Sequence, residues 1–180
     1  LAEWDLPADR PIVLLSGGTD FVCGPVVRIA DQLARAREDL CVVVLGGRNK
    51  KLLGQLAGLR LPGDRLRPVA FTDRLHELVE ASSLMITKAG GSTIAECAAR
   101  GKPMVFLKPV PGQEKGNAQY YAAAGAGVVA PSVQETIQQT LELVGDPQRL
   151  AAMSQAAAAL YRPASETIAD WVIQRLGDRD

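Results

Sequence analysis

Residues 84–96 read Leu-Met-Ile-Thr-Lys-Ala-Gly-Gly-Ser-Thr-Ile-Ala-Glu, a short apolar run followed by a glycine pair and then a helical pattern. The first four residues have the length and composition of a buried strand. The glycines allow a tight turn, and the residues after them open a helix. A strand that turns directly into a helix is the repeating step of a parallel α/β sheet, so this stretch indicates the fold class.

The same alternation of short β-rich runs and longer helical patterns extends in both directions from this stretch. It predicts six strands, at residues 12–15, 41–45, 66–70, 84–87, 104–107 and 127–130. It also predicts helices at residues 26–37, 50–58, 75–80, 93–100, 114–124, 133–144, 147–160 and 164–176. Right-handed crossovers place helices on both faces of the sheet. The predicted fold is a doubly wound, Rossmann-like, six-stranded parallel sheet in one α/β domain over residues 1–180.

The composition agrees with such a sheet and argues against several classes of partner. Hydrophobic residues make up 47% of the chain and aromatic residues only 4%, so Val, Leu, Ile and Ala must build the core. Twenty Lys and Arg balance twenty Asp and Glu, which leaves no net field to attract a nucleic-acid backbone. No apolar run approaches the roughly 20 residues of a spanning helix. We therefore expect neither nucleic-acid binding nor a membrane crossing.

The ends and the rarer residues of the sequence favour a cytoplasmic protein. The chain begins at Leu1, without Met and without the pattern of a secretion signal, so we interpret it as a segment of a longer protein. Cys23, Cys41 and Cys97 are odd in number and widely spaced, which predicts reduced, mostly buried thiols. His76 is the single histidine, so a histidine metal cluster is impossible, and we expect this residue to be partly exposed on a short helix.

The loops after the first and fourth strands are the first candidates for a binding site. Open parallel sheets bind ligands beyond the carboxyl ends of the strands, where the strand order reverses, so these two loops are expected to meet there. Ser16-Gly17-Gly18-Thr19 follows the first strand, and its glycines let backbone amides approach a phosphate. A tight turn without a ligand explains the same glycines.

The loop after the fourth strand has the stronger pattern. Gly90 and Gly91 precede a helix that we expect to begin at Thr93, where unpaired amides and the positive end of the helix dipole suit a diphosphate. In an alternative interpretation, Thr93 and Glu96 form a capping box and bind nothing else. Both interpretations can hold in turn, with a ribose replacing the cap at Glu96 on binding.

Residues 109–117 form a polar, kinked loop that opens another helix after the fifth strand. Amides and carboxylates of this kind suit sugar hydroxyls, because each can orient and discriminate a hydrogen-bonding group. The alternative is a plain helix entry with Glu114 placed favourably in the first turn, and spacing alone slightly favours it.

Competing cofactor motifs are absent from the sequence. The first strand is not followed by Gly-x-Gly-x-x-Gly, and residues 46–48 end the second strand with Gly-Gly-Arg where a dinucleotide fold needs an acidic residue. Residues 101–103, Gly-Lys-Pro, lack the hydroxyl of a phosphate-binding P-loop and follow a helix. The Asp-x-Asp at 178–180 lies on the tail and is a poor metal site. We therefore predict no metal and no cofactor.

The last predicted helix carries an apolar face that needs a partner. Ile168, Trp171, Val172 and Leu176 fall on one side at helical spacing. Either the sheet of this domain or a neighbouring domain can cover them.

At the motifs quoted above, the sequence resembles the carboxyl-terminal domain of GT-B glycosyltransferases. The branch is that of monogalactosyldiacylglycerol synthases, processive diacylglycerol glucosyltransferases and the peptidoglycan enzyme MurG. The resemblance spans nearly the whole chain and is most specific at residues 47–52, 87–96 and 111–117. These segments favour the glycolipid synthases. Gly91 departs from the pattern, since the plant galactolipid enzymes have proline there.

The resemblance implies a donor-binding domain for inverting, metal-independent transfer of a hexose from a UDP-sugar. The acceptor that it favours is a diacylglycerol-type lipid. The general base and the acceptor pocket would lie on an absent amino-terminal domain, so this domain alone would be inactive. The full-length enzyme would be peripheral on the membrane. The alternatives are a UDP-N-acetylglucosamine-using transferase of cell-wall precursors, a sugar-nucleotide epimerase and a non-catalytic nucleotide-binding module.

The resemblance also assigns roles to individual residues of the three loops. The nucleotide would be held by the ribose ligand Glu96, by the diphosphate ligands Gly18, Gly91, Ser92 and Thr93, and by the backbone near Phe71 and Thr72 at the uracil. The hexose would face Gln113, Glu114 and Asn117.

Overall fold

The central sheet of the protein has six parallel strands in the order β3-β2-β1-β4-β5-β6. The computed structural model describes residues 2–17, 25–109 and 111–177. The strands are β1 Ile12–Ser16, β2 Cys41–Gly47, β3 Leu66–Ala70, β4 Leu84–Thr87, β5 Met104–Leu107 and β6 Gly127–Ala130. Because β1 pairs with both β2 and β4, the strand order reverses between β1 and β4, which confirms the doubly wound prediction.

Eight helices flank the strands in the described part of the chain. They are α1 Val26–Ala36, α2 Lys50–Ala57, α3 Leu75–Ala81, α4 Gly91–Ala99, α5 Gln113–Ala123, α6 Val133–Val144, α7 Pro147–Ala159 and α8 Ala164–Gly177. A single turn of 3-10 helix, Ala2–Trp4, precedes β1. The predicted helix and strand ends agree with the observed ones to within two residues.

Helix α4 begins at Gly91, two residues before the predicted start at Thr93. Gly90 adopts an extended conformation, and its carbonyl accepts the Ile94 N–H at 3.1 Å, so it serves as the N-cap. Glycine is well tolerated at this position, which lets the helix include two more residues. Thr93 therefore lies inside the first turn, and the alternative interpretation of a Thr93–Glu96 capping box is wrong, because Gly90 and not Thr93 is the N-cap of α4.

Alternate residues of the central strands contribute to two cores, one on each face of the sheet. Val13 and Leu15 of β1 pack in a core with residues of α1, α2 and α6. Leu14 lies in the opposite core with residues of α3, α4 and α5. All residues of β1, β4 and β5 are buried, which explains why these strands are apolar without alternation. The prediction of a mostly aliphatic core is confirmed.

The described thiols and the single histidine lie where the sequence predicts them. Cys41 and Cys97 are free and buried, and burial raises the pKa of the Cys97 thiol to about 12. Cys23 lies outside the described residues. The His76 side chain is 50% exposed on the short helix α3, as expected.

Helix α8 lies outside both cores. The side chains at 164–176 are all exposed, and the exposed fractions of Ile168, Trp171 and Leu176 are 61%, 55% and 61%. In the described structure the sheet of this domain does not cover the apolar face of α8. Of the two expected covers, this sheet is therefore excluded for the described residues, and a neighbouring domain remains. None of the described helices has the length and apolar character needed to span a membrane.

Candidate functional site

The carboxyl ends of β1 and β4 lie side by side at the point where the strand order reverses. Ser16 and Thr87 are register partners there, and both are buried. This pairing confirms that the ends of the first and fourth strands are adjacent, whereas residues 18–24 of the loop after the first strand lie outside the described residues. Gly18, one of the predicted diphosphate ligands, lies outside the described residues, as does Thr19. Of the two loops, the turn between β4 and α4 is the one whose structure is described in full.

The β4–α4 turn presents backbone amides on an open surface. The Gly90 N–H donates to the Lys88 carbonyl at 2.8 Å, which tightens the turn just before the helix. Gly91 and Ser92 are exposed and Thr93 is half-buried, and a Cβ added to Gly91 would meet nothing within 4 Å. The first amides of a helix have no partner in the helix itself. Because the N-cap Gly90 has no side chain to pair with them, these amides suit an anion.

Glu96 lies one helical turn beyond Ser92, on the same side of α4. Its carboxylate is 27% exposed, and its Oε1 atom lies 3.8 Å from Arg100 Nη1, which is beyond hydrogen-bond length. Arg100 also lies 3.8 Å from Glu80 Oε2, so it is shared between two carboxylates. With no capping role in α4, the Glu96 carboxylate can accept hydrogen bonds from a ligand bound at the helix start.

The first turn of α5 docks against the β4–α4 turn through two polar contacts. Lys88 Nζ lies 3.1 Å from Glu114 Oε1. The Asn117 amide donates from Nδ2 to the Ala89 carbonyl at 3.0 Å. Gln113 is exposed at the helix start. The three predicted hexose ligands therefore lie on the first two turns of a helix whose contacts reach the predicted diphosphate turn.

The predicted uracil site lies apart from this cluster, at the carboxyl end of the edge strand β3. Phe71 is 58% exposed, and the Arg48 guanidinium lies 4.5 Å from the centre of its ring. Thr72 Oγ1 accepts the Arg74 N–H at 2.9 Å, which holds the loop. The strand order puts β2 and β1 between β3 and β4, so three strand spacings of about 4.8 Å separate the two parts of the site.

Sequence reasoning missed two cations of the site, Lys88 and Arg48. Each follows the carboxyl end of a strand, and each lies in a segment for which the resemblance is most specific. That position is the signal that identifies them, since ligands of parallel sheets bind at this edge.

The candidate site residues in the described part of the chain do not form a metal-binding group. Two cavities lined by described residues have volumes of about 560 Å³, between α1 and α2, and about 580 Å³, beside Trp4. In the described ranges, no group of three or more His, Cys, Asp or Glu side chains is positioned to hold a metal ion.

Comparison with known proteins places this geometry in a family. The model of the glycosyltransferase family 28 C-terminal domain matches residues 12–170. The processive diacylglycerol beta-glucosyltransferase of Bacillus cereus strain AH187 is 36% identical over 162 residues, which are 89% of this chain and 42% of that protein. The chain thus spans less than half the length of this relative.

Solved structures share the fold at low sequence identity. MurG of Acinetobacter baumannii superposes with a TM-score of 0.75 and 21% identity, over 97% of this chain and 52% of that one. A complex of S. aureus MnaA with UDP gives the same TM-score and identity, over 94% and 47%. The predicted GT-B carboxyl-terminal fold is confirmed.

Proposed function

The chain belongs to the glycosyltransferase family 28 C-terminal domain family, and from this membership we propose that it is the donor-binding half of a two-domain transferase that uses a UDP-hexose. The observation that carries this proposal is the start of α4, where the N-cap Gly90 has no side chain to occupy the first amides, with the Glu96 carboxylate one turn beyond Ser92. The name of the Bacillus cereus relative supports a diacylglycerol-type lipid as the acceptor.

In the proposed complex the diphosphate lies at the start of α4, against the amides of Gly91, Ser92 and Thr93. The helix dipole adds roughly half a positive charge at this end. Fixed amides and a dipole stabilise the charge that develops on the leaving UDP without having to reorganise during the reaction. This arrangement removes the need for a metal ion in the transfer step.

Glu96 would bind the ribose hydroxyls. Each ribose hydroxyl can donate to a carboxylate oxygen, and charge-assisted bonds of this kind are stronger than neutral ones. The competing partner, Arg100, lies at 3.8 Å and is shared with Glu80, so little is lost when the ribose displaces it. The carboxylate is thus available in the position where a nucleotide bound at the helix start needs it.

The remaining parts of the donor would lie on either side of the diphosphate. The uracil would reach the backbone near Phe71 and Thr72, across the carboxyl ends of β2 and β1. The hexose would lie on the other side, toward Gln113, Glu114 and Asn117 at the start of α5. Because β5 pairs with β4, the loop that opens α5 is well placed for a sugar attached to the β-phosphate.

Transfer itself would need groups from an amino-terminal domain. The acceptor hydroxyl attacks the anomeric carbon, inverts it and releases UDP, while a general base within hydrogen-bond reach takes the proton. His76 lies on α3 beside Glu77, on a different helix from the proposed hexose ligands of α5. We therefore assign the base, the acceptor pocket and peripheral membrane contact to the amino-terminal domain.

The fold alone does not separate a transferase from a sugar-nucleotide epimerase or a non-catalytic nucleotide-binding module. The family match over residues 12–170 and the 36% identical diacylglycerol glucosyltransferase support the transferase. The same relative supports a lipid acceptor over a cell-wall precursor that receives N-acetylglucosamine.

A transfer assay tests this proposal. Radiolabelled UDP-glucose, UDP-galactose and UDP-N-acetylglucosamine would each be incubated with diacylglycerol vesicles and the full-length protein, and in parallel with this chain alone. We expect labelled glycolipid from the full-length protein with one donor, and none from the chain alone, because closure of two domains is needed to align the reactants. Glycolipid formation by the chain alone, or a UDP-sugar epimerised without lipid, would contradict the proposal.

A further inference from the structure

The Lys88–Glu114 ion pair joins the proposed diphosphate site to the proposed hexose site. Lys88 precedes the N-cap of α4 by two residues, and Glu114 is the second residue of α5. Their side chains are 36% and 20% exposed, and Glu114 is the least exposed carboxylate among the ion pairs of the described residues. Because this pair is partly buried, salt and water weaken its electrostatic attraction less than that of the exposed pairs elsewhere on the surface.

We infer that Lys88 is an exchangeable counterion that couples the two halves of the donor site. In the empty domain its ammonium group holds Glu114. When a diphosphate binds at the start of α4, the ammonium group moves to a phosphate oxygen, and the Glu114 carboxylate is released toward the hexose hydroxyls. This inference rests on the proposed function and adds an order of events to it: the diphosphate completes the hexose site.

The proposed exchange calls for movement of the Lys88 side chain alone. The Lys88 ammonium is a point charge on a flexible four-carbon stem, so it can change partner by rotation of the side chain. The bond from Asn117 Nδ2 to the Ala89 carbonyl ties α5 to the same turn independently of the ion pair. The Asn117 hydrogen bond is thus the fixed contact between α5 and the β4–α4 turn, and the Lys88–Glu114 ion pair is the exchangeable contact.

The charges explain why the exchange favours a complete donor over UDP. When UDP binds alone, Lys88 gains a phosphate partner, but the partly buried Glu114 loses its ion pair with Lys88. When a UDP-hexose binds, the sugar hydroxyls donate to Glu114 and replace that cation. The hexose therefore recovers an interaction that the diphosphate has disrupted, which raises affinity for UDP-hexose relative to UDP.

Calorimetry with UDP and UDP-glucose on four proteins tests the exchange: the unaltered chain, Lys88→Met, Glu114→Gln and the double variant. Lys88→Met should weaken UDP binding roughly tenfold or more, as expected for the loss of a charged hydrogen bond. Glu114→Gln should strengthen UDP binding roughly two- to fivefold, because Lys88 no longer has to leave a carboxylate. The same variant should lower the affinity ratio of UDP-glucose to UDP.

The double variant separates exchange from simple repulsion between Glu114 and the phosphates. If the pair is exchanged, Glu114→Gln has no effect on UDP affinity in the Lys88→Met background. If repulsion acts through space, the same gain persists there, and additive effects would overturn the inference. Lys88→Arg should restore UDP binding, and Lys115→Met, on the same turn of α5, is the charge-matched control that should change it less than twofold.

UDP binding by the unaltered chain distinguishes a failure of the proposed function from a failure of the Lys88 exchange. Failure of the unaltered chain to bind UDP would overturn the proposed function together with this inference. UDP binding with additive variant effects, or with no effect of Lys88→Met, would overturn the exchange alone.

Discussion

At the scale of single residues, Glu96 gives the sharpest test of nucleotide recognition. Glu96→Ala should weaken UDP binding by roughly 1–3 kcal/mol, because ribose hydroxyls would be left without a partner. Binding of 2′-deoxyuridine diphosphate should be much less sensitive, since it lacks one of those hydroxyls. Calorimetric titration of both nucleotides measures the difference.

The structure indicates that the Glu96→Ala variant tests ribose binding without disturbing helix α4. Because Gly90 caps α4 and Glu96 does not, loss of the carboxylate should leave the helix start intact. Glu96→Gln serves as the shape-matched control. Equal losses for the two nucleotides would mean that Glu96 does not contact the ribose 2′-hydroxyl.

Gln113 and Asn117 should respond differently to truncation although both are assigned to the hexose. Gln113 is exposed, so Gln113→Ala should impair UDP-hexose binding and leave UDP affinity nearly unchanged. Asn117 also donates to the Ala89 carbonyl, so Asn117→Ala should weaken UDP itself by loosening the diphosphate turn. Titration of UDP and UDP-glucose into each variant separates the two roles. Identical profiles for both variants would contradict this division.

At the scale of elements, Gly127 in β6 is required by close packing. A Cβ there would lie 2.6 Å from Phe106 Cε2 and 2.9 Å from the Met104 carbonyl oxygen, and Phe106 is fully buried. Gly127→Ala should therefore lower the free energy of unfolding by about 1–3 kcal/mol. Urea denaturation monitored by circular dichroism measures this change.

Gly54 in helix α2 provides the opposite control. A Cβ there would meet nothing within 4 Å, so Gly54→Ala should raise the free energy of unfolding by about 0.5–1 kcal/mol through helix propensity. If Gly127→Ala matched Gly54→Ala in sign, the packing described around β6 would be wrong.

The segment before β1 should contribute to stability in a pH-dependent way. Trp4 Nε1 donates to Glu77 Oε2 at 2.8 Å, and Arg74 pairs with both Glu77 and Glu3. The Arg74 hydrogen bond, followed by that of Trp4, lowers the pKa of Glu77 from its ordinary value of 4.5. A lowered carboxyl pKa stabilises the fold above the ordinary value, and this stabilisation is lost as pH falls through the folded-state pKa.

Thermal melts at several pH values test this contribution. At pH 7 the unaltered chain should melt above Glu77→Gln, and the difference should shrink as pH falls below about 4.5 toward acid. Glu166→Gln, on the exposed helix α8, is the charge-matched control. A melting difference that does not change with pH would show that the Glu77 charge is not responsible.

The elements were predictable from sequence where burial dictates their pattern. Strands β1, β4 and β5 are buried on both faces, so their apolar runs identify them without ambiguity. The start of α4 was placed two residues late because glycine caps a helix without a recognisable side chain. The contacts of Lys88 with Glu114 and of Ala89 with Asn117 were not predictable, since they join separate loops and the latter residues are 28 positions apart.

At the scale of the whole molecule, two described surfaces are exposed that a second domain would cover under the proposed function. The predicted diphosphate ligands Gly91 and Ser92 are exposed, and the apolar face of α8 has no cover from the described sheet. The remaining expectation is that a neighbouring domain covers Trp171 and its neighbours and closes over the donor. The sequence indicated that the α8 face needs a partner, but it did not indicate which of the two candidates covers it.

The most direct test of the central claim is a calorimetric titration of UDP into this chain, first with EDTA and then with Mg²⁺. The account predicts saturable one-to-one binding with the same affinity in both buffers, because backbone amides and the α4 dipole hold the diphosphate in place of a metal. Absence of saturable UDP binding, or binding that appears only with Mg²⁺, would contradict it.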